Sequence, residues 1–323
     1  NTIKYPLNSL AKSEDIKGIN MDRPEEGVDV SSLVERYAVH RIVTDGHEPI
    51  SSRPYRIPIH YRNAVDNEID RMLSLGVIRQ SKSAWLSPVV IVPKKNGDLR
   101  FCVDYRRLND VTIKDEYPLP LLEEVLDSLG GAKFFSTLDL QSGYWQIPMA
   151  PEDIEKTAFS HGRGLYEFLK MPFGLCNGPA TFQRVMDRLL DDFPFAIAYL
   201  DDIIIFSKSK SEHMDHVDRV LKRLDMANLK INKEKSKFCK NELAYLGFII
   251  SKEGIRNDPD RIQSILNWKE PKSKDDLQAF LGALNFMHRH IKGLANLSSH
   301  FTGMMSPKIP FKWDEDEKKG FKY

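Results

Sequence analysis

At 323 residues the chain is long enough for about two or three domain-sized units with a sizeable core. Its 41% hydrophobic and 29% charged residues exclude a disordered or fibrous protein, and a net charge of +1 means that any basic surface must be local. Three dispersed cysteines, Cys102, Cys176 and Cys239, exclude a disulfide framework and a Cys-x-x-Cys metal site and make a reducing compartment the default. No apolar run approaches the roughly 18 residues of a membrane span, and the first residues do not form a signal peptide. The chain starts at Asn1 and closes on "FKWDEDEKKGFKY", so it reads as a piece of a longer polypeptide.

Residues 1–50 are polar and aperiodic and predict a weakly ordered arm. "AVDNEIDRMLSLGVI" then places Val65, Ile69, Met72 and Leu73 at helical spacing before a stop at Gly76. In "SPVVIVPKKNGDLRFCVDYRRLN", Asn96-Gly97 separates an apolar run from an alternating one, which predicts a hairpin with Lys94, Lys95 and Arg100 flanking its tip. A short helix follows in "PLLEEVLDSLGG", then a strand from about Lys133 to Leu140 with Asp139 at its end. Pro179 opens a helix with Phe182, Val185, Met186, Leu189 and Leu190 as its stripe. "AIAYLDDIIIFS" reads as strand, turn, strand, and Ser209 with Glu212 forms a capping box for a helix bearing Met214, Val217, Val220, Leu221 and Leu224. "ELAYLGFII" is a strand pair or bend around Gly247. A last helix starts at Ser273, with Leu277, Phe280, Leu281, Leu284 and Ile291 on one face. Strands and helices mix without a βαβ rhythm, which predicts an α+β fold with an antiparallel sheet backed by helices.

Asp201 and Asp202 sit at the tip of an apolar hairpin, and Asp139 ends a strand of its own. If the two strands lie side by side, three carboxylates converge. Such a group repels itself but suits hard cations: Mg²⁺ takes one or two carboxylates plus substrate phosphates. A pair of ions roughly 4 Å apart stabilises the attacking and leaving oxygens of a phosphoryl transfer. Asp also favours turns, so the pair alone leaves a metal site and a plain turn both open.

The motifs taken together decide between them. "SPVVIVPKKNGDLRFCVDYRRLN", "LDLQSGYWQIPM", "KTAFSHGRGLYEFLKMPFGL", "YLDDIIIFS" and "YLGFII", in that order, resemble the reverse transcriptases, and among them the polymerases of gypsy-type LTR retrotransposon (metavirus) Pol polyproteins. The resemblance runs from about residue 54 to residue 291. It implies a right-hand polymerase fold with fingers at 51–113 and 147–177, palm at 114–146 and 178–250, and thumb at 251–306. Residues 307–323 would start a connection to a ribonuclease H region.

The resemblance also implies roles. Asp139, Asp201 and Asp202 match the catalytic, metal-binding triad, with the Leu140 backbone facing two Mg²⁺ ions (Mn²⁺ being an alternative). Asp139 and Asp201 are the nearer ligands in this reading. Arg100 with Lys94 or Lys95 matches the fingers residues that hold the triphosphate; a planar donor fork and a point charge both suit phosphate oxygens. Tyr144 matches the aromatic that excludes a ribose 2′-hydroxyl. Phe173-Gly174 stands where retroviral enzymes have Gln-Gly, and the Phe fits the retrotransposon subgroup. Gly178-Pro179 would open the helix beneath the template. Lys235 is the general-acid candidate toward pyrophosphate, and Tyr245, Leu246 and Gly247 match the primer grip.

The implied activity is RNA-directed DNA synthesis on an RNA or DNA template with a DNA or RNA primer, from deoxynucleoside triphosphates. Salt should weaken template binding steeply. No protease Asp-Thr/Ser-Gly motif and no integrase His/Cys pattern is present, so this stretch is expected to polymerise without degrading its RNA template. Its further partners are then the ribonuclease H and integrase regions of a full polyprotein, with no membrane, in the cytoplasm within a virus-like particle. The alternatives are a catalytically inactive domesticated copy that binds nucleic acid or protein, against which the intact aspartates and Tyr144 argue, and a metal-dependent nuclease, which leaves Tyr144 and the basic ribbon unexplained. His213 and His216, three apart on a helix, read as packing or surface residues rather than ligands; His288 and His290 carry no assignment.

Overall fold

A computed structural model describes residues 39–93, 99–288, 291, 293–306 and 308–321. The chain divides into two compact units, one ending at Lys240 and the other spanning Asn241–Tyr323. In chain order the first unit contains α1 (Ile59–Ser74), β1 (Ile78–Gln80), β2 (Ser87–Pro93), β3 (Leu99–Val103), α2 (Arg106–Val111), α3 (Leu122–Ser128), β4 (Phe134–Leu140), β5 (Phe159–Ser160), β6 (Leu165–Phe168), α4 (Gly178–Leu190), β7 (Ala196–Tyr199), β8 (Asp202–Ser207), α5 (Lys210–Met226) and β9 (Ile231–Lys240). The second contains β10 (Glu242–Tyr245), β11 (Phe248–Ser251), β12 (Gly254–Asn257), α6 (Pro259–Leu266), α7 (Lys274–Phe286), α8 (Leu294–Met304) and α9 (Glu315–Phe321). The α+β expectation holds. Among the described residues no helix is long and apolar enough to cross a membrane.

Two sheets build the first unit. One runs β1-β6-β5-β2-β3, with β2 and β5 parallel and the other pairs antiparallel. α1 buries Val65, Ile69 and Met72 against it, in a core with Val77, Ile78, Val89, Phe159 and Phe168. The helix ends at Gly76, whose φ of 65° is a conformation that costs an L side chain energy. β2 and β3 pair as the hairpin signal predicts; Lys94, Lys95, Asn96 and Gly97 themselves lie outside the described residues.

The other sheet is antiparallel throughout, in the order β7-β8-β4-β9. Its centre is the run Ile203, Ile204 and Ile205, each 0% exposed, as expected of a strand covered on both faces. The stripes of α4 (Phe182, Val185, Met186, Leu189) and α5 (Val217, Val220, Leu221, Leu224) share one core with Leu138, Ile203 and Ile205. The capping box forms as read: the Glu212 amide donates to Ser209 Oγ, and the Glu212 carboxylate accepts from the Ser209 amide.

Three expectations need correction. β9, "INKEKSKFCK", is a ten-residue strand that the periodicity did not announce. It is an edge strand with Phe238 as its one fully buried side chain, and lysines along an edge discourage pairing with another chain. Residues 39–50 are not a loose arm. His40 N–H donates to Pro148 O, His40 O accepts from the Ala150 amide, the Ile42 amide donates to Asp153 Oδ2, and His40 and Ile42 are each 1% exposed. A polar, aperiodic stretch can pack when a few anchors find partners; residues 1–38 lie outside the described residues. Ile291 does not extend the Ser273 helix, because α7 stops at Phe286. The start of that helix is as read, with Ser273 Oγ accepting from the Asp276 amide. Leu277, Phe280, Phe301 and Met304 form the core of the second unit.

Two buried histidines tie stability to pH. His213 is 0% exposed and its ring nitrogens lie 2.7 Å from Ser136 Oγ and 2.8 Å from Ser207 Oγ. His216 shares Ser207 Oγ and stacks on Phe195, so both pack as the sequence reading holds. Burial, aided by His216 and opposed by Glu212, lowers His213 to about 4, and burial lowers His40 to about 4 against the opposing pull of Asp153 and Asp115. Both are neutral when folded at a pH where the unfolded chain takes up a proton. Their contribution is therefore complete above about pH 6.5 and is lost as pH falls toward 4, by up to about 3 kcal/mol per histidine. Urea midpoints should fall between pH 7.5 and 5, and His213→Gln, which can still bond both serines, should flatten part of that slope.

Candidate active site

Cross-strand register brings the carboxylates together. β4 and β8 are neighbours, and Asp139 stands directly opposite Asp202. Tyr199 pairs with Asp202 across β7 and β8, leaving Leu200 and Asp201 as the two-residue link. Leu200 adopts φ 53°, a left-handed conformation that glycine accepts and a branched side chain resists. Three anionic residues thus share one end of the sheet. The Asp139 amide donates to Ser236 Oγ, which donates to Asn232 O, so β9 fixes the strand end that carries Asp139.

Electrostatics marks the cluster as incomplete. Asp201 Oδ1 is buried with no hydrogen-bond partner. Burial, then Asp202 and Asp139, push the Asp201 carboxyl up to about 6. Burial and Asp139 also raise Asp202, against the pull of Lys235. A buried, unsatisfied carboxylate oxygen is costly, and a cation is the partner that removes both the lone oxygen and the repulsion. Among the described residues no three His, Cys, Asp or Glu side chains form a ready-made metal cage. The donor set fits Mg²⁺ all the same, because that ion is held through one or two carboxylates and completes its shell with water and phosphate.

Space for the cluster comes from Gly143. A Cβ there would lie 3.1 Å from Phe182 Cζ and 3.5 Å from Asp201 Oδ1. Tyr144, 8% exposed, packs beside it, stacked on Phe173 at 4.9 Å and 16° and tilted on Phe182 at 5.4 Å. Burial, with the Asp201 charge second, raises the Tyr144 hydroxyl to about 12, so it stays protonated. Phe173 is 49% exposed, and Gly174 follows it at φ 96°, its carbonyl accepting from Asn109 Nδ2. A half-exposed aromatic on a buried tyrosine makes a flat apolar floor.

The remaining candidates divide. Lys235 Nζ lies 3.8 Å from Asp139 Oδ2, on a side chain 67% exposed. Leu140 is buried and pairs with Ile231. Gly178 and Pro179 open α4 as read. Arg100 is exposed on β3 opposite Val92, and Lys94 and Lys95 lie outside the described residues. Tyr245, Leu246 and Gly247 belong to the second unit, where they turn β10 into β11 with Leu246 at φ 49° and Gly247 at φ 83°; Arg261 packs against Gly247 and over the Phe286 ring. His288 Nδ1 lies 2.9 Å from Asn285 O, and His290 is outside the described residues. Reading the sequence misses Gly143, Ser236 and Gln183; a polar residue amid the apolar stripe of α4 was the one available sign of Gln183.

Residues 92–250 match the family described as reverse transcriptase (RNA-dependent DNA polymerase). The chain is 40% identical over 299 residues to the retrovirus-related Pol polyprotein from transposon gypsy of Drosophila melanogaster, covering 87% of this chain and 29% of that one. It is 38% identical over 263 residues to the transposon Tf2-3 polyprotein of Schizosaccharomyces pombe, covering 81% of this chain and 20% of that one. The chain therefore spans less than a third of the length of these relatives. A foamy viral protease-reverse transcriptase solved with double-stranded DNA superposes with a TM-score of 0.81 at 25% identity, over 90% of this chain and 54% of that one. A foamy viral protease-reverse transcriptase solved with an RNA/DNA hybrid gives 0.79 at 25% identity, over 99% of this chain and 46% of that one. The fold is the α+β right-hand polymerase fold.

Gly143→Ala should cost about 1–3 kcal/mol, since the new methyl overpacks against Phe182. Urea unfolding of the two proteins side by side measures it; an unchanged midpoint would show that Phe182 moves away freely.

Proposed function

The chain is a member of the reverse transcriptase family, and on that premise we propose that it is the polymerase part of a gypsy-type retrotransposon Pol polyprotein, extending a primer on an RNA or DNA template. The observation that carries the proposal is the cross-strand pairing of Asp139 with Asp202 beside the unpartnered, buried oxygen of Asp201. In this reading the sheet of β7, β8, β4 and β9 with α4 and α5 is the palm, the sheet around β2 the fingers, and the helices of the second unit the thumb.

The family generally depends on divalent metal. Two Mg²⁺ ions, or Mn²⁺, would be held by Asp139, Asp201 and Asp202 with the Leu140 carbonyl, and would supply charge neutralisation at the α-phosphate and a more acidic primer hydroxyl. The protein's own residues do the rest. The rigid hairpin sets the carboxylate positions in advance, so little reorganisation is needed as charge develops. Arg100, with Lys94 or Lys95, holds the triphosphate. Tyr144 on its Phe173 floor closes the space beside the sugar C2′, where Gly174 lets the backbone approach. Lys235 stands beside Asp139 as the proton donor to the leaving pyrophosphate. Tyr245, Leu246 and Gly247 place the primer end.

The foamy viral neighbours were solved with double-stranded DNA and with an RNA/DNA hybrid, and we assign duplexes of both kinds as partners of this chain. Ribonuclease H and integrase regions of the same polyprotein, inside a cytoplasmic virus-like particle, complete the proposal.

Primer extension on poly(rA)·oligo(dT) with dTTP and Mg²⁺ tests it. Wild type should extend, and Asp201→Asn should lose at least about 100-fold in rate while still binding the duplex. Wild type that binds without extending would sink the polymerase reading, and template cleavage in its place would favour a nuclease. Tyr144→Ala should incorporate ribonucleotides about tenfold more readily or better, worth ~1.4 kcal/mol of discrimination; competition between rNTP and dNTP measures it, and unchanged discrimination would remove Tyr144 from that role.

A further inference from the structure

Gln183 lies on α4 with 0% of its surface exposed, and nothing in the polymerase chemistry above uses it. Its side-chain amide is fully committed. Nε2 donates to Ala198 O at 2.8 Å and to Asp187 Oδ1 at 2.7 Å, and Oε1 accepts from the Leu200 amide at 2.9 Å. One side chain therefore grips the backbone on both sides of Tyr199, at the place where β7 turns into the aspartates. Among the described residues β7 is an edge strand, with β8 as its one sheet neighbour.

The orientation of the amide is not interchangeable. Two acceptors, a carbonyl and a carboxylate, face Nε2, and one N–H donor faces Oε1. A flipped amide would set oxygen against both acceptors. Asp187 is itself held, by the Tyr117 hydroxyl at 2.7 Å; the Arg184 guanidinium lies over the Tyr117 ring and bonds Asp115. The grip on the turn is thus anchored through a network that ends away from the carboxylates.

What it holds is strained. A non-glycine residue at φ 53° is expensive and persists where its surroundings over-determine it. Release of the Leu200 amide would let its peptide rotate, and Asp201 is the next residue. We propose that Gln183 is a positioning residue of the polymerase: by clamping Ala198 O and the Leu200 amide it holds the turn in the conformation that aims Asp201 and Asp202 at the reacting phosphate. The proposal rests on the polymerase reading for its consequence, and on the clamp alone for its structural part.

Gln183→Met keeps the length of the side chain and removes all three hydrogen bonds. It should lower kcat about 10- to 100-fold, as a misplacement of about 1 Å does. Affinity for template-primer, read by fluorescence anisotropy, should stay within about twofold, since no residue that grips the duplex is altered. Amide exchange at Leu200, read by NMR on the protein without substrate, should accelerate while exchange within β8 does not. Gln183→Glu sets a carboxylate against Asp187 and should be impaired as well; adding Asp187→Asn restores a donor opposite it and should recover part of the loss. A folded Gln183→Met protein with wild-type kcat, or with unchanged Leu200 exchange, would overturn the proposal. So would a double variant no better than Gln183→Glu alone, which decides the matter if Gln183→Met does not fold. If wild type itself does not extend primers, the polymerase reading fails, while Leu200 exchange still decides whether the clamp exists.

Discussion

Like charges at close range are the constraint around which the first unit is arranged. Asp139 and Asp202 face each other across two strands, Asp201 precedes Asp202 in the turn, and each pair repels. A flexible chain would let them separate. This one cannot, because the strands that carry them run through Ile203, Ile204, Ile205 and Leu138, all fully buried. Hydrophobic burial, roughly 25 cal/mol for each Å² removed from water, maintains an electrostatic arrangement that would not form by itself. The residual cost appears as the lone Asp201 oxygen and its raised proton affinity. Perturbed carboxylates of this kind concentrate at functional sites, and here the cause of the perturbation is also what makes the cluster receptive to cations.

The aromatic side of the site follows from the same economy of space. Tyr144 sits between Phe173 and Phe182, and Gly143 and Gly178 leave room for their rings. The hydroxyl of Tyr144 stays neutral near the aspartates because burial and the Asp201 charge both oppose its ionisation. A neutral, wedged ring can define a shape without adding charge to a crowded site. The buried supports of the two flanks, Tyr144 and Phe182 on one and Leu138, Leu140 and Ile203 on the other, belong to one shared core.

What could be read in the sequence was what has a period or a motif. The stripes of α4 and α5, the capping box at Ser209, the glycine stop at Gly76 and the β4 and β8 strands all carry local signals, and all are present. The carboxylates were legible because three aspartates at strand ends break an apolar pattern. Elements made by tertiary partners were not legible. β9 has a single buried apolar side chain and draws its order from pairing with β4. Gln183 is one polar residue on an otherwise apolar stripe, and its meaning depends on a turn 17 residues away. Gly143 matters through a ring and a carboxylate distant in sequence. In each case the information lies in contacts that local composition does not encode.

The tie between His40 and Thr181 has a consequence for how the molecule is made. His40 Nδ1 lies 2.8 Å from Thr181 Oγ1, across 141 positions of chain. During synthesis the segment around His40 and Ile42 leaves the ribosome long before the start of α4 exists. It must wait for its partner, with an apolar residue uncovered, while β2 and β3 can already pair. Contacts so distant in sequence are slow to close and leave sticky intermediates behind them. The order of emergence thus keeps the segment around His40 and Ile42 from completing its contacts until residues 148–181 have been made, when it docks onto the start of the helix that carries the rest of the site's support.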